Sequence, residues 1–218
     1  MPIFDLSMTI KPMWRWPSQL EVVRDFSSGD PYRVTAMNMV MHAFTHIDTP
    51  LHIEPGRETV DQVDLANLCG PAMVADLGTV SANQEIGPDL LADRCRGLLE
   101  NDILLLKTCW DRLRDCTTRQ YWQEAPFINE SGAAWLAKQN IKAVGFDFPQ
   151  DFAIREIPQR HPPIGEMPTH NLILRKGIYL IEYLCNLSTL HADRVQVFAL
   201  PLKIEGSEGA CARVIAVA

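Results

Sequence analysis

Short apolar runs bounded by Gly, Pro or Asn are the main pattern along the chain, and such runs predict β-strands. The predicted strands cover residues 32–44, 71–80, 102–110, 141–149, 176–184, 194–204 and 212–218. Two further segments, 87–100 and 130–140, place apolar residues three and four positions apart, which predicts amphipathic helices. Predicted strands therefore outnumber predicted helices.

This order of elements favours an α/β fold, a single domain over residues 1–218 with mixed β-sheets and flanking helices. A purely doubly wound parallel sheet fits poorly, because it needs more crossover helices than the pattern provides. The longest stretch without periodicity, residues 146–170, is rich in Pro and ends on His170. Loops of that length in a compact domain are often functional, so we expect this one to contribute to a site.

The chain has 218 residues and a formal net charge of −7, with 47% hydrophobic and 22% charged residues, which is typical of a folded globular protein. No basic stripe is present, so a nucleic-acid partner is not expected. No apolar run reaches the ~18 residues of a membrane-spanning helix, and no membrane partner is expected either. The six cysteines form no CxxC pair and the first residues lack signal-peptide features, so we expect a cytoplasmic protein with cysteines in its core.

Three of the six histidines, His42, His46 and His52, fall within eleven residues that also contain Asp48. On a helix His42 and His46 share one face, but Asp48 points to nearly the opposite side. On a strand all four share a face, yet His42 and His46 would lie about 13 Å apart at ~3.3 Å per residue. We therefore expect a strand that ends near Met41, followed by a turn that folds these side chains inward.

Pro50 favours extended backbone at Thr49 and removes one backbone donor, so the chain is expected to leave the sheet from Asp48 onward. Imidazole and carboxylate are ligands of zinc and of neighbouring divalent metals. Two His and one carboxylate leave positions open for water or substrate, and His52 would then be free for proton transfer. The spacing favours a metal site, and a polar ligand pocket is the alternative.

The segment HAFTHIDTPLH, residues 42–52, resembles the HxGTHxDxPxH signature of the metal-dependent cyclase family, which includes bacterial kynurenine formamidase and isatin hydrolase. Other pieces that agree are DLS at 5–7, GPAMVADLG at 70–78, LLLKTCW at 104–110, VGFDFP at 144–149, HNLILRKGIYLIEYL at 170–184 and ALPLKI at 199–204. The resemblance spans about the whole chain and implies a swivelling β/β/α-like fold.

The resemblance also implies five metal ligands: His42, His46, Asp48, His170 and Glu182. The last two belong to a second metal position that shares the aspartate, and the twelve-residue separation between them is that of the family. His52 is implied as the catalytic acid and base. One or two divalent ions per subunit are implied, zinc or manganese, because His and carboxylate ligands accept both. A metal would also offset the cost of burying Glu182 within an apolar run.

The glycine of the family signature is Phe44 in this chain. Glycine at such a turn usually means a positive φ or a close backbone approach, so either the turn uses ordinary dihedrals or Phe44 reshapes the pocket wall. Trp14 and Trp16 offer rings that would stack on a substrate, and packing in the core or at a subunit interface is the alternative. His161 and His191 are expected to be surface or structural residues.

By resemblance, the protein is expected to be a metal-dependent hydrolase of a small aromatic or cyclic amide, such as a formamide or lactam. The metal would activate water, and His52 would move the proton to the leaving nitrogen. A lactone or ester hydrolase, a dehydrating cyclase and a non-catalytic protein that binds metal or a small acid are the alternatives. Family members associate, so a homo-oligomer is implied, either a dimer or a tetramer.

Overall fold

The computed structural model describes residues 1–17 and 19–218 of the chain. Its strands are β1 Ile3–Asp5, β2 Gln19–Arg24, β3 Val34–Asn38, β4 His46–Asp48, β5 Cys69–Asp76, β6 Glu85–Ile86, β7 Ile103–Lys107, β8 Phe127–Ile128, β9 Ala143–Phe146, β10 Tyr179–Glu182, β11 Arg194–Pro201 and β12 Gly209–Val217. Its α-helices are α1 Pro88–Arg94, α2 Trp110–Leu113, α3 Arg119–Gln123 and α4 Glu130–Leu136.

Eight of these strands form one sheet, in the order β1-β12-β11-β5-β7-β9-β10-β4. Strand β4 also pairs with β12, so seven strands close into a barrel, and β1 pairs with the other end of β12. The β5–β7, β7–β9 and β9–β10 pairs are parallel, whereas β4, β11 and β12 pair antiparallel to their neighbours. The predicted α/β class with mixed sheets and flanking helices is confirmed.

Successive side chains along each barrel strand point to opposite faces, and this alternation produces two hydrophobic cores. In β7, Leu105 packs inside the barrel with Ile181 and Val197, whereas Leu104 and Leu106 belong to the outer core. The outer core also contains buried apolar residues from all four α-helices, so the helices cover the outer face of the barrel. The candidate site described below lies on this outer face.

Six of the seven predicted strand segments contain barrel strands, because continuous apolar runs suit strands that are buried on both faces. The predicted strand over 32–44 is wrong in its extent: it ends at Asn38 rather than near Met41, and it pairs with β2 outside the barrel. Part of the expected turn is instead strand β4, which pairs with β10 on one side and β12 on the other. This pairing is entirely non-local, so no pattern near residue 46 reports it.

Strands β2 and β3 form an antiparallel hairpin in which every residue is exposed. Its exposed apolar side chains include Leu20, Val22, Val23, Val34 and Met37. These side chains have no packing partner within the described chain. A two-stranded hairpin without such packing is only marginally stable in water. Across residues 1–17 and 19–218, no helix combines the length and apolar character needed to cross a membrane.

Candidate active site

Strand β4 carries His46 and Asp48 on its outer face, while Ile47 between them packs in the inner core. Antiparallel pairing sets His46 directly opposite Glu182, the last residue of β10. Side chains in such a cross-strand pair lie close enough to interact. His46 Nε2 is 3.2 Å from Asp48 Oδ1 and 3.6 Å from Glu182 Oε2, and all three residues are buried. The closing strand of the barrel therefore brings one imidazole and two carboxylates together.

The turn before β4 is built on Phe44, whose φ of 59° lies in the left-handed region. The alternative of ordinary dihedrals is therefore wrong, because this turn keeps the backbone conformation that glycine favours. Thr45 Oγ1 donates to Tyr183 O at 2.7 Å and accepts from Met8 N at 2.8 Å. These hydrogen bonds hold the turn against the end of β10, and they stabilise a backbone conformation that is costly for Phe.

Two buried atoms of the cluster, His46 Nε2 and Asp48 Oδ2, have no hydrogen-bond partner in the described structure. His46 Nδ1 donates to Phe44 O at 2.8 Å, so in the neutral ring Nε2 carries the lone pair. This lone pair faces carboxylate oxygens of Asp48 and Glu182, an arrangement that repels unless a cation lies among them. Ligand atoms of these three residues all lie within 4.8 Å of one another. The residues present therefore fit a divalent metal.

His170 reaches the same carboxylates from a five-residue π-helical turn, Thr169–Ile173. Its Nδ1 donates to Asp151 Oδ2 at 2.6 Å, and Asp151 also accepts the N–H of the first residue of that turn at 2.9 Å. His170 Nε2 then lies 3.1 Å from Glu182 Oε1 and 3.5 Å from Asp48 Oδ2. A carboxylate behind a histidine fixes its tautomer and orientation, as is usual for metal-ligating histidines.

His42 places both ring nitrogens next to carboxylates, with Nδ1 at 2.8 Å from Asp48 Oδ1 and Nε2 at 3.0 Å from Glu208 Oε1. Burial lowers the pKa of His42, but the charge of Asp48 outweighs it and raises the pKa to about 9. A metal ligand must be neutral, so binding at His42 would release a proton. A Cβ at Gly209 would lie 2.7 Å from Ile47 O and 3.1 Å from His42 Cε1, so glycine leaves room for this ring.

His52 ends a short 3₁₀ turn, Pro50–His52, so the chain leaves the sheet after Asp48 as predicted. Its ring centroid is 3.9 Å from that of His42 and 5.5 Å from that of His170. Burial lowers the pKa of His52 to about 4. The charges of His42 and His170 also lower this pKa, whereas the charge of Asp48 raises it. A pKa this low keeps the ring neutral at pH 7.

The two buried acids keep their negative charge in spite of burial. Burial raises the pKa of Asp48, but the electrostatic interactions with His46 and His42 outweigh it and hold the pKa well below its usual range. Burial and the charge of Asp48 raise the pKa of Glu182, and the charge and hydrogen bond of His170 outweigh both. Paired carboxylates this deep in the protein depend on nearby cations.

A cavity of about 410 Å³ opens next to these residues. Its walls include four members of the cluster: His42, His52, His170 and Glu182. Its apolar walls include Trp16, Ile154, Ile157, Pro158, Met167 and Tyr183. Apolar walls with a few convergent polar groups are typical of a small-molecule site. The aperiodic segment 146–170 supplies several of these walls, as its length suggested.

The three aromatic residues expected to contact a substrate occupy different places. Trp16 lines the cavity, whereas Phe44 packs behind Trp16, with ring centroids 4.8 Å apart. Trp14 Nε1 donates to Thr117 O at 3.0 Å, and the guanidinium of Arg119 lies 4.4 Å from the ring of Trp14. Phe44 and Trp14 do not line this cavity, because core and surface packing hold both rings away from it.

Sequence reasoning missed four residues that position the cluster: Gln150, Asp151, Glu208 and Gly209. Gln150 Nε2 donates to Glu182 Oε1 and Asp151 orients His170, so both act through a ligand candidate. Membership of the aperiodic segment was the one available signal for this pair. His161 and His191 are exposed and lie outside the site, as expected.

The model of the Cyclase family, described as "Putative cyclase", matches residues 4–150, which is more than half of the chain. The chain belongs to this family, and the resemblance seen in the sequence is confirmed. A curated relative, kynurenine formamidase of Erythrobacter litoralis (strain HTCC2594), is 28% identical over 98% of this chain and 93% of its own length. Cyclase-like protein 3 of Arabidopsis thaliana is 28% identical over 98% of this chain and 78% of its own.

Solved structures show the same fold. Isatin hydrolase A from Labrenzia aggregata bound to benzyl benzoate superposes with a TM-score of 0.81 at 22% identity, covering 99% of this chain and 93% of that one. A structure described as a potential metal-dependent hydrolase with cyclase activity superposes with a TM-score of 0.75 at 27% identity, covering 99% and 96%. The closed barrel and its covering helices are therefore the fold of these proteins.

Proposed function

We propose that this protein is a metal-dependent hydrolase that cleaves the C–N bond of a small aromatic or cyclic amide. Family membership, relatives named kynurenine formamidase and a 27% identical structure described as a potential metal-dependent hydrolase support this proposal. The observation that carries it is the pair of buried, unpartnered atoms, His46 Nε2 and Asp48 Oδ2, beside Glu182. Such a set is costly without a cation and well suited to one.

The proposed ligands are His42, His46, Asp48, His170 and Glu182. Bound among them, a divalent cation supplies positive charge that polarises the amide carbonyl and lowers the pKa of the attacking water. Asp48 faces histidines with both oxygens, since Oδ1 is 3.2 Å from His46 Nε2 and Oδ2 is 3.5 Å from His170 Nε2. A carboxylate shared in this way supports one or two ions per subunit, and zinc and manganese both accept these donors.

His52 is the proposed acid and base. Its ring lines the cavity and stacks on His42, and its ligand atom lies within 4.8 Å of those of His42 and Asp48, outside the set formed by His46, Asp48 and Glu182. A neutral imidazole accepts the proton of the attacking water and then delivers it to the amide nitrogen as the C–N bond breaks. The aromatic wall formed by Trp16 and Tyr183 keeps bulk water away from the reacting carbonyl, which strengthens electrostatic interactions there.

Metal analysis and hydrolysis assays test this function together. Purified protein is assayed for bound zinc and manganese, and then for hydrolysis of an aryl formamide, an aryl lactam and an aryl lactone. We expect bound metal and amide hydrolysis, with both lost in Asp48→Asn. His52→Ala should keep the metal and lose turnover by about 10²–10⁴-fold, the usual contribution of a proton-transfer group. His191→Ala changes an exposed histidine and is the matched control. Bound metal with no hydrolysis of either amide, whether or not the lactone is hydrolysed, would contradict the proposal.

The exposed β2–β3 hairpin supports a homo-oligomer, dimer or tetramer. It presents Val22 and Val34 to solvent together with further apolar side chains, a surface that burial against a second copy would stabilise. We expect light scattering to report an oligomer for the wild type and a smaller species for the double variant Val22→Glu, Val34→Glu. A monomeric wild type would contradict this part of the proposal.

Two further parts of the proposal concern the whole chain. Residues 1–218 are proposed to act as one domain, because the proposed ligands span His42 to Glu182, and His46, Asp48 and Glu182 lie on paired strands of one barrel. The protein is proposed to act in the cytoplasm, since the six cysteines are free in the structure.

A further inference from the structure

Arg15 belongs to the motif MWRWP, has no role in the catalytic proposal, and lines the same cavity as His52 and Glu182. Nη2 donates to Ile154 O at 2.8 Å. Nε and Nη1 are buried and have no hydrogen-bond partner in the described structure. Tyr183 and Glu182 on the same cavity wall interact electrostatically with Arg15, yet Nε and Nη1 form no hydrogen bond within the described structure.

The carboxylates nearest to this wall are already engaged elsewhere. Asp48, Glu182 and Glu208 form their ion pairs with histidines of the site. The indole of Trp122 lies 4.2 Å from the Arg15 guanidinium carbon, which supplies a cation–π interaction but accepts no conventional hydrogen bond. A buried cation with unpaired donors is costly, and a ligand anion removes that cost.

The geometry points to Arg15 as the residue that selects an amide substrate bearing a carboxylate, with that group next to the guanidinium and the rest of the molecule along the apolar walls. The cavity of about 410 Å³ accommodates a body of one aromatic ring, which would contact Trp16 and Tyr183. Guanidinium–carboxylate pairs are strong and orient the ligand, so the amide would be presented to the metal side in one direction. This inference deepens the proposed function and rests on it.

A binding measurement tests the inference without relying on turnover. The probes are 3-phenylpropionate and its neutral analogue 3-phenylpropionamide, and binding to the full-length protein, carrying its metal as purified, is followed by calorimetry. The wild type should bind the acid more tightly than the amide, and Arg15→Met should reduce this preference about 30-fold or more, as expected when one partner of a buried charge pair is removed. Contacts of the acid with the metal are common to both proteins and do not explain a difference.

Arg119→Met is the matched control, because Arg119 also packs on an indole, at 4.4 Å from Trp14, but lies outside the cavity. Arg119→Met should leave the preference unchanged. Arg15→Lys keeps the positive charge and should retain part of the preference, so it serves as the test if Arg15→Met does not fold. An unchanged preference in folded Arg15→Met, or in Arg15→Lys where Arg15→Met does not fold, would overturn the inference. A loss of the preference in Arg119→Met as large as that in Arg15→Met would also overturn it.

Parallel hydrolysis assays separate the two proposals. An Arg15-dependent preference for the acid without hydrolysis of any amide would retain the anion subsite and refute the amide-hydrolase function. Hydrolysis of acidic and neutral aryl formamides with equal kcat/KM would support the function and refute the role of Arg15. A preference for the acidic formamide that Arg15→Met abolishes through KM rather than kcat supports both.

Discussion

Replacing Phe44 by Gly and by Ala separates two opposing effects at the turn that precedes β4. The ring is 2% exposed and packs 4.8 Å from Trp16, so its removal costs about 3–5 kcal/mol of the free energy of unfolding. The φ of 59° costs a non-glycine residue roughly 1–2 kcal/mol, which glycine avoids. Phe44→Gly should therefore lower the free energy of unfolding by about 1–4 kcal/mol.

Phe44→Ala loses the same ring and keeps the strained dihedral, so it should be less stable than Phe44→Gly by about 1 kcal/mol. Equilibrium urea unfolding of the metal-free proteins measures both differences. The acceptor of His46 Nδ1 is the backbone oxygen of residue 44, which both variants retain. The free energy of metal binding should therefore change less than the free energy of unfolding does. An alanine variant as stable as the glycine variant would show that the left-handed dihedral carries no cost here, and would refute the reasoning.

Three other predictions concern the groups that hold the metal ligands. Asp151→Asn should weaken metal binding about 10–100-fold by chelator competition, as for other residues behind a ligating histidine, while exposed Asp193→Asn should not. Gly209→Ala should lower the free energy of unfolding by about 1–3 kcal/mol, because its Cβ would lie 2.7 Å from Ile47 O, whereas Gly165→Ala meets nothing within 4 Å and should be neutral. Chelation should lower the thermal midpoint of the wild type, because metal at 100 times its Kd stabilises the folded state by about 2.7 kcal/mol.

Local patterns predicted the interior of the fold well. Strands β7 and β9 are continuous apolar runs buried on both faces, and such runs are recognisable without any knowledge of their partners. Strand β4 was not recognisable. Its three residues alternate polar, apolar and polar, and they lie between Phe44, whose φ is positive, and Pro50. The strand forms because β10 and β12 each offer a free edge with which it pairs.

The residues of the candidate site also fall into two groups, those that the sequence identifies and those that it does not. His42, His46 and His52 were found because their spacing is unusual in a chain with six histidines. Asp151 and Arg15 were missed, because their significance lies in what they face: a histidine nitrogen in one case, and a cavity without an acceptor in the other. Neither property has a signature in the sequence around the residue.

The position of β4 links the stability of the barrel to the chemistry of the site. This strand closes the barrel, and the residues on its outer face are His46 and Asp48 rather than apolar ones. Closure therefore forces Asp48 and Glu182 into one buried volume, where two carboxylates repel unless cations lie between them. In the metal-free chain the histidines supply that positive charge, and a bound divalent ion would supply more. Binding of a cation at the proposed site would therefore depend on the same contacts as barrel closure, which is how a strand of only three residues can carry two of the proposed ligands.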